Sequence, residues 1–188
     1  MGGCRCDSTA RSQLISNEAS GIYRCLQRCV RRAWLCGVDE YTGQSYEHRK
    51  AWIEKQIALI GSCFAVAIHA YAVMSNDLHV VLQLDPKVSL AWTDQQIAER
   101  WVRLFLPREL TNQAIKAKQD NIMANADRLV IIRNRLGNLS WLMKCLAEPI
   151  ARRANTEDAC KGGFWEGRFK AQLLKDEKLT LSLVFHTP

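Results

Sequence analysis

Much of what this chain can be is settled by what it does not contain. Its eight cysteines include no Cys-x-x-Cys pair, whereas a tetrahedral zinc site usually shows two such close pairs. Cys4/Cys6 with Cys25/Cys29 is the nearest match, and it is a loose one. No secretory signal precedes these residues, so reduced thiols and a cytoplasmic, nucleoid-associated location are expected rather than disulfides. The start Met1-Gly2-Gly3-Cys4-Arg5-Cys6 has no Ser or Thr at position six, which removes the myristoylation pattern. Internal repeats and low-complexity segments are absent, which excludes stacked-repeat and linker-like architectures. No apolar run is both long and unbroken. The longest, Ile57 to Met74, is interrupted by Gly61-Ser62 and contains His69. It reads as helix end, turn and buried strand, with no membrane span.

What is present fits a folded domain. The chain has 188 residues, 48% of them hydrophobic, enough for one domain with a sizeable core or for a small domain with a helical insertion. A net charge of +7 and a pI near 9.1 suit a polyanionic partner, nucleic acid being the commonest. A basic, solvated surface accounts for the charge equally well.

Residues 1–20 are polar and Ser/Arg-rich and predict a disordered tail, leaving a domain over residues 21–188. A first strand is expected from Ile22 to Leu35, carrying Arg24, Arg28, Arg31 and Arg32. Ser45 is placed to cap a helix reaching Ile60, with Ile53, Ile57 and Ile60 on its stripe. Cys63 to Met74 and the segment from Asp77 to Leu84 alternate as strands. Leu78, Val80, Leu82 and Leu84 form the apolar face of the second, opposite Asp77, His79, Val81 and Gln83. A three-residue loop, Met74 to Asn76, aligns the two apolar faces and sets Tyr71 opposite His79. Thr93-Asp94-Gln95-Gln96 is a capping box that starts a helix reaching Phe105. Glu109 to Leu136 reads as helix with Gly137 as its stop, and another helix from Leu139 meets Pro149, which is expected to kink or divide it. Phe164 to Gln172 reads as a strand and Lys175 to Phe185 as a last helix. The order predicts an α+β domain: an antiparallel sheet with helices on one face and a polar opposite face.

That polar face carries the candidate chemistry. Residues two apart on a strand point the same way, so Asp77 and His79 are either a pair of ligands for Mg²⁺ or Mn²⁺ or partners in a turn-proximal hydrogen bond. Gln83 and Glu166 are candidate third ligands. Arg28, Arg31 and Arg32 on the first strand, with Arg168 and Lys170 on the last, suit phosphates of single-stranded nucleic acid or form a solvated charged face. Arg152-Arg153 reads as a phosphate clamp or as ordinary charges at a helix C-terminus. Trp34, Trp52, Trp92, Trp101 and Trp141 read as core rather than as stacking platforms.

Four stretches, Arg28-Cys-Val-Arg-Arg-Ala-Trp-Leu-Cys-Gly37, Tyr46-Glu-His-Arg-Lys-Ala-Trp-Ile53, Ala70 to Leu84 and Phe164-Trp-Glu-Gly-Arg-Phe-Lys170, together resemble the REP-associated, single-tyrosine transposase family of the HUH nuclease group. The similarity runs from Ile22 to Leu181. It implies a ferredoxin-like fold with a helical insertion over residues 90–136, binding of single-stranded or hairpin DNA, and a divalent Mg²⁺ or Mn²⁺ on the His-x-His strand. A tyrosine on a later helix would attack the phosphate to give a covalent link. The chain departs from the family twice. Met74-Ser-Asn-Asp-Leu-His79 has Asp77 where the family has its first histidine, and no tyrosine follows Tyr71, although the family's nucleophile lies after the last strand. The resemblance thus implies a C-terminally truncated member, impaired in strand cleavage, that keeps Asp77 and His79 for metal, keeps Arg28, Arg31, Arg32, Arg168 and Lys170 for nucleic acid, and has no catalytic residue. A non-catalytic regulatory nucleic-acid-binding module is the alternative. The resemblance fits a homodimer or a monomer.

Overall fold

The computed structural model describes residues 20–30 and 33–174. The expected tail before Ser20, Arg31, Arg32 and the last helix from Lys175 lie outside the described residues. Four strands, β1 (Gly21–Arg28), β2 (Val66–Val73), β3 (Asp77–Leu84) and β4 (Lys170–Leu174), form one sheet in the order β2-β3-β1-β4. Every neighbouring pair is antiparallel. With α1 (Arg49–Cys63) between β1 and β2, and α6 (Leu139–Glu157) before β4, this is the β-α-β-β-α-β ferredoxin-like order. Four further helices, α2 (Pro86–Ala91), α3 (Asp94–Leu104), α4 (Asn112–Met123) and α5 (Ala126–Leu136), lie between β3 and α6.

The sheet has two unlike faces because its strands alternate. Tyr23, Cys25, Cys29, Leu78, Val80, Leu82 and Leu84 are buried in one cluster with Ile53, Ile57 and Ile60 of α1 and Leu139, Leu142, Met143, Leu146 and Ile150 of α6. The helices thus cover one face. The other face carries Arg24, Arg28, His79, Gln83, Lys170 and Gln172.

Several boundaries differ from the expectation, each for a local reason. The first strand ends at Arg28 rather than Leu35, and Cys29 makes only an isolated bridge to Trp165. Ser45 pairs with Val38, which removes it as a cap, so α1 begins at Arg49. The long helix expected over 109–136 is two helices, α4 and α5. Asn125 breaks it by accepting from Arg128 N at 2.9 Å as the N-cap of α5. Pro149 does not divide α6, which runs unbroken through it. The last strand covers only Lys170–Leu174, later than the expected Phe164–Gln172. Gly137 does stop α5, although its φ is −98°. A Cβ there would meet Ser89 Oγ at 2.9 Å and Pro86 Cα at 3.3 Å, so close approach of α2, rather than a left-handed backbone, requires the glycine. The Thr93 capping box forms as expected, with Gln96 N donating to Thr93 Oγ1 at 3.2 Å and Thr93 N to Gln96 Oε1 at 2.9 Å.

The β2–β3 register also needs correction. From Val66↔Leu84 to Ile68↔Leu82 the strands pair as expected, but a bulge at His69 shifts the rest by one residue. Ala72, not Tyr71, therefore stands opposite His79, while Tyr71 pairs with Val80 of the helix-facing row. The extra residue lets both ends of the hairpin keep their apolar faces on the core side. Among the described residues no helix is long and apolar enough to cross a membrane.

Candidate nucleic-acid interface

The open face is a lattice set by strand register. Arg28 stands opposite Asp77, Leu26 opposite His79, and Arg24 opposite Val81. On the other side of β1, Lys170 is opposite Leu26 and Gln172 opposite Arg24. Neighbouring strands lie about 4.8 Å apart, so Arg24 and Arg28 stand to either side of the His79 row on the next strand, and Lys170 lies two strands from His79, about 10 Å away. Arg168 precedes β4 and joins Arg28, Glu166 and Lys170 in lining a pocket of about 340 Å³ at the edge of this face. Among the described residues neither Arg168 nor Lys170 nor Arg24 takes part in an ion pair.

Asp77 and His79 do share the open face, but each is met by an arginine from β1. Arg28 grips Asp77 with both prongs of its guanidinium: Nε donates to Oδ1 at 2.7 Å and Nη2 to Oδ2 at 2.9 Å. The Asp77 side chain is 11% exposed, whereas the Arg28 side chain is 54% exposed. These hydrogen bonds hold the Asp77 carboxyl below the usual carboxylate range, so it is ionised at neutral pH. Arg24 Nη2 lies 3.4 Å from His79 Nδ1, a long contact that requires a neutral imidazole with its proton on Nε2. Burial, with Arg24 next in size, pushes the His79 pKa below 6.5, which favours that neutral form.

This donor set is a poor match to a divalent cation. Both Asp77 oxygens are engaged by a guanidinium, and two positive side chains flank the imidazole. Gln83 is four residues beyond His79 on β3, about 13 Å along the strand. Glu166 sits at the opposite end, its N–H donating to Arg28 O at 2.9 Å. Among the described residues no three His, Cys, Asp or Glu side chains gather as a metal-holding group. What the arrangement offers is the reverse polarity: an exposed, oriented guanidinium and further cations, which suit phosphate oxygens.

No protein-family model and no curated protein matches the chain.

Of the residues singled out from sequence, Asp77, His79, Arg28, Arg168 and Lys170 come together on one face and its rim, while Arg31 and Arg32 lie outside the described residues. Arg152 pairs with Glu148 on α6 and Arg153 packs over Trp52 at 3.8 Å, so both read as helix-surface charges. Trp101 is buried, whereas Trp34, Trp52, Trp92 and Trp141 are only half-buried. Arg24 emerges as a central site residue; its i, i+4 relation to Arg28 on one strand was the available signal. A second feature had no clear signal beyond Asp39 and Gly43. Residues Val38 to Ser45 form a tight hairpin that carries Tyr41 beside the end of β1.

Proposed function

We propose that this chain binds single-stranded or hairpin DNA across the open sheet face, holds its phosphates with Arg24, Arg28, Arg168 and Lys170, and leaves them uncut. The observation that carries this reading is the Arg28 fork on Asp77, which puts a guanidinium where the resemblance to single-tyrosine transposases would put a divalent cation. A guanidinium oriented by a carboxylate can still hydrogen-bond phosphodiester oxygens, but it supplies no open coordination position to polarise the phosphate for attack. Asp77 then serves to orient Arg28, and neutral His79 leaves Arg24 its charge to spend on phosphate. Tyr71 supports the same conclusion, because its pairing with Val80 takes it off the row of His79.

The test is incubation of the full chain with hairpin DNA bearing a single-stranded extension in the presence of Mn²⁺. Native gels are expected to show a complex, and denaturing gels to show intact DNA with no covalent adduct. Cleaved or protein-linked DNA that disappears on Asp77→Ala substitution would establish metal-dependent strand cleavage instead.

A further inference from the structure

Beyond Arg28 the sheet face opens into a groove of about 1000 Å³ between the β1–α1 connection and the β2–β3 turn. Its chemistry differs from that of the sheet. Among its described lining residues Arg28 is the one cation, facing two carboxylates, Asp39 and Glu166. Hydrogen bonds from Thr42 Oγ1 at 2.7 Å and Tyr41 N at 3.0 Å hold Asp39 ionised. The groove's two carboxylates are suitable acceptors for the amino edges of bases.

The groove is also aromatic. Trp34 and Tyr46 lie parallel, 3° apart in plane with centroids 6.4 Å apart, and Arg49 backs Tyr46 at 4.4 Å from its centroid. Tyr41 is 97% exposed at the tip of a turn closed by Asp39 N donating to Gln44 O at 2.9 Å and Gly43 N to Asp39 O at 2.7 Å. The turn holds a large ring in water where it adds almost nothing to the core. An exposed ring on a hydrogen-bonded turn beside a carboxylate-lined groove is open to base stacking.

We infer that this groove receives one or two unpaired nucleobases of the strand whose phosphates lie on the sheet face, with Tyr41 as the stacking platform. The inference rests on the DNA-binding reading and adds to it which part of the DNA is recognised. The volume is at the upper end of ordinary small-ligand sites, and Arg28 joins groove and sheet, so one strand can run from one to the other.

The test measures fluorescence anisotropy of the full chain with two probes: a labelled DNA hairpin with a short single-stranded extension, and the same hairpin with abasic residues throughout the extension. The phosphates are identical, and only the bases differ. The wild type is expected to bind the abasic probe about five- to hundredfold more weakly. Tyr41→Ala should lose a comparable factor on the intact probe and little more on the abasic one, while Tyr41→Trp keeps the preference. Equal wild-type affinity for both probes, or wild-type affinity of Tyr41→Ala for the intact probe, overturns the base-binding groove and leaves phosphate binding standing. No binding of either probe overturns both together.

Discussion

Binding that rests on phosphate contacts has to weaken with salt by an amount the open face fixes. Of the cations gathered there, Arg28 is charge-compensated by Asp77, which leaves Arg24, Arg168 and Lys170. Each phosphate neutralised on a single strand contributes about −0.7 to the slope of log K against log salt, so three contacts give a slope of about −2. Raising salt from about 50 to about 200 mM then costs about twentyfold in affinity. Arg24→Ala removes one contact, brings the slope to about −1.4, and reduces the same loss to about sevenfold. Arg152→Ala is the control, because Arg152 lies on α6, on the helical side of the sheet, and pairs with Glu148; its slope should equal that of the wild type. Anisotropy titrations of hairpin DNA at four or more salt concentrations read these slopes directly. A wild-type slope near zero, or a slope moved by Arg152→Ala and untouched by Arg24→Ala, would refute the placement of the phosphates on the sheet.

Three further outcomes are expected. The His79 imidazole should titrate below 6.5, and Arg24→Ala should move its midpoint upward, because Arg24 lowers it along with burial; NMR of the ring protons reads both. The unfolded imidazole takes up its proton near 6.5 and the folded one only at lower pH, so His79 lowers stability as pH falls through that interval. Burial pushes the Cys29 thiol up to about 12 and the Cys145 thiol up to about 11, so both should resist alkylation at pH 8 while exposed Cys160 reacts, as peptide mapping by mass spectrometry would show. Arg49 is fully buried, donates to Trp34 O at 2.7 Å and is paired with Asp158 and Glu157; Arg49→Ala should therefore cost about 3 kcal/mol in urea denaturation.

The sequence made the sheet legible because burial on one side imposes a period of two. The alternation of Leu78, Val80, Leu82 and Leu84 fixed which way Asp77 and His79 point. The bulge at His69 was not legible, since Ala70, Ala72 and Met74 continue the even-numbered apolar alternation while Tyr71 and Val73 in fact take the core-side pairings. The fork between Arg28 and Asp77 was hidden for a different reason. It joins residues 49 positions apart, and only the central pairing of β1 with β3 places them opposite one another. The same limit hid the groove: Tyr41 belongs to a polar turn whose position beside Arg28 depends on the whole fold. Asn125 shows a smaller failure, in which a single capping residue outweighed a continuous helical propensity.

The most direct measurement is the affinity of the full chain for hairpin DNA with a single-stranded extension in the presence of EDTA. Binding unchanged by chelation, and equally unchanged when Mn²⁺ is restored, is the outcome that arginine-held phosphates require. Binding that vanishes in EDTA and returns with Mn²⁺ would mean that a cation, not Arg28, meets the DNA backbone.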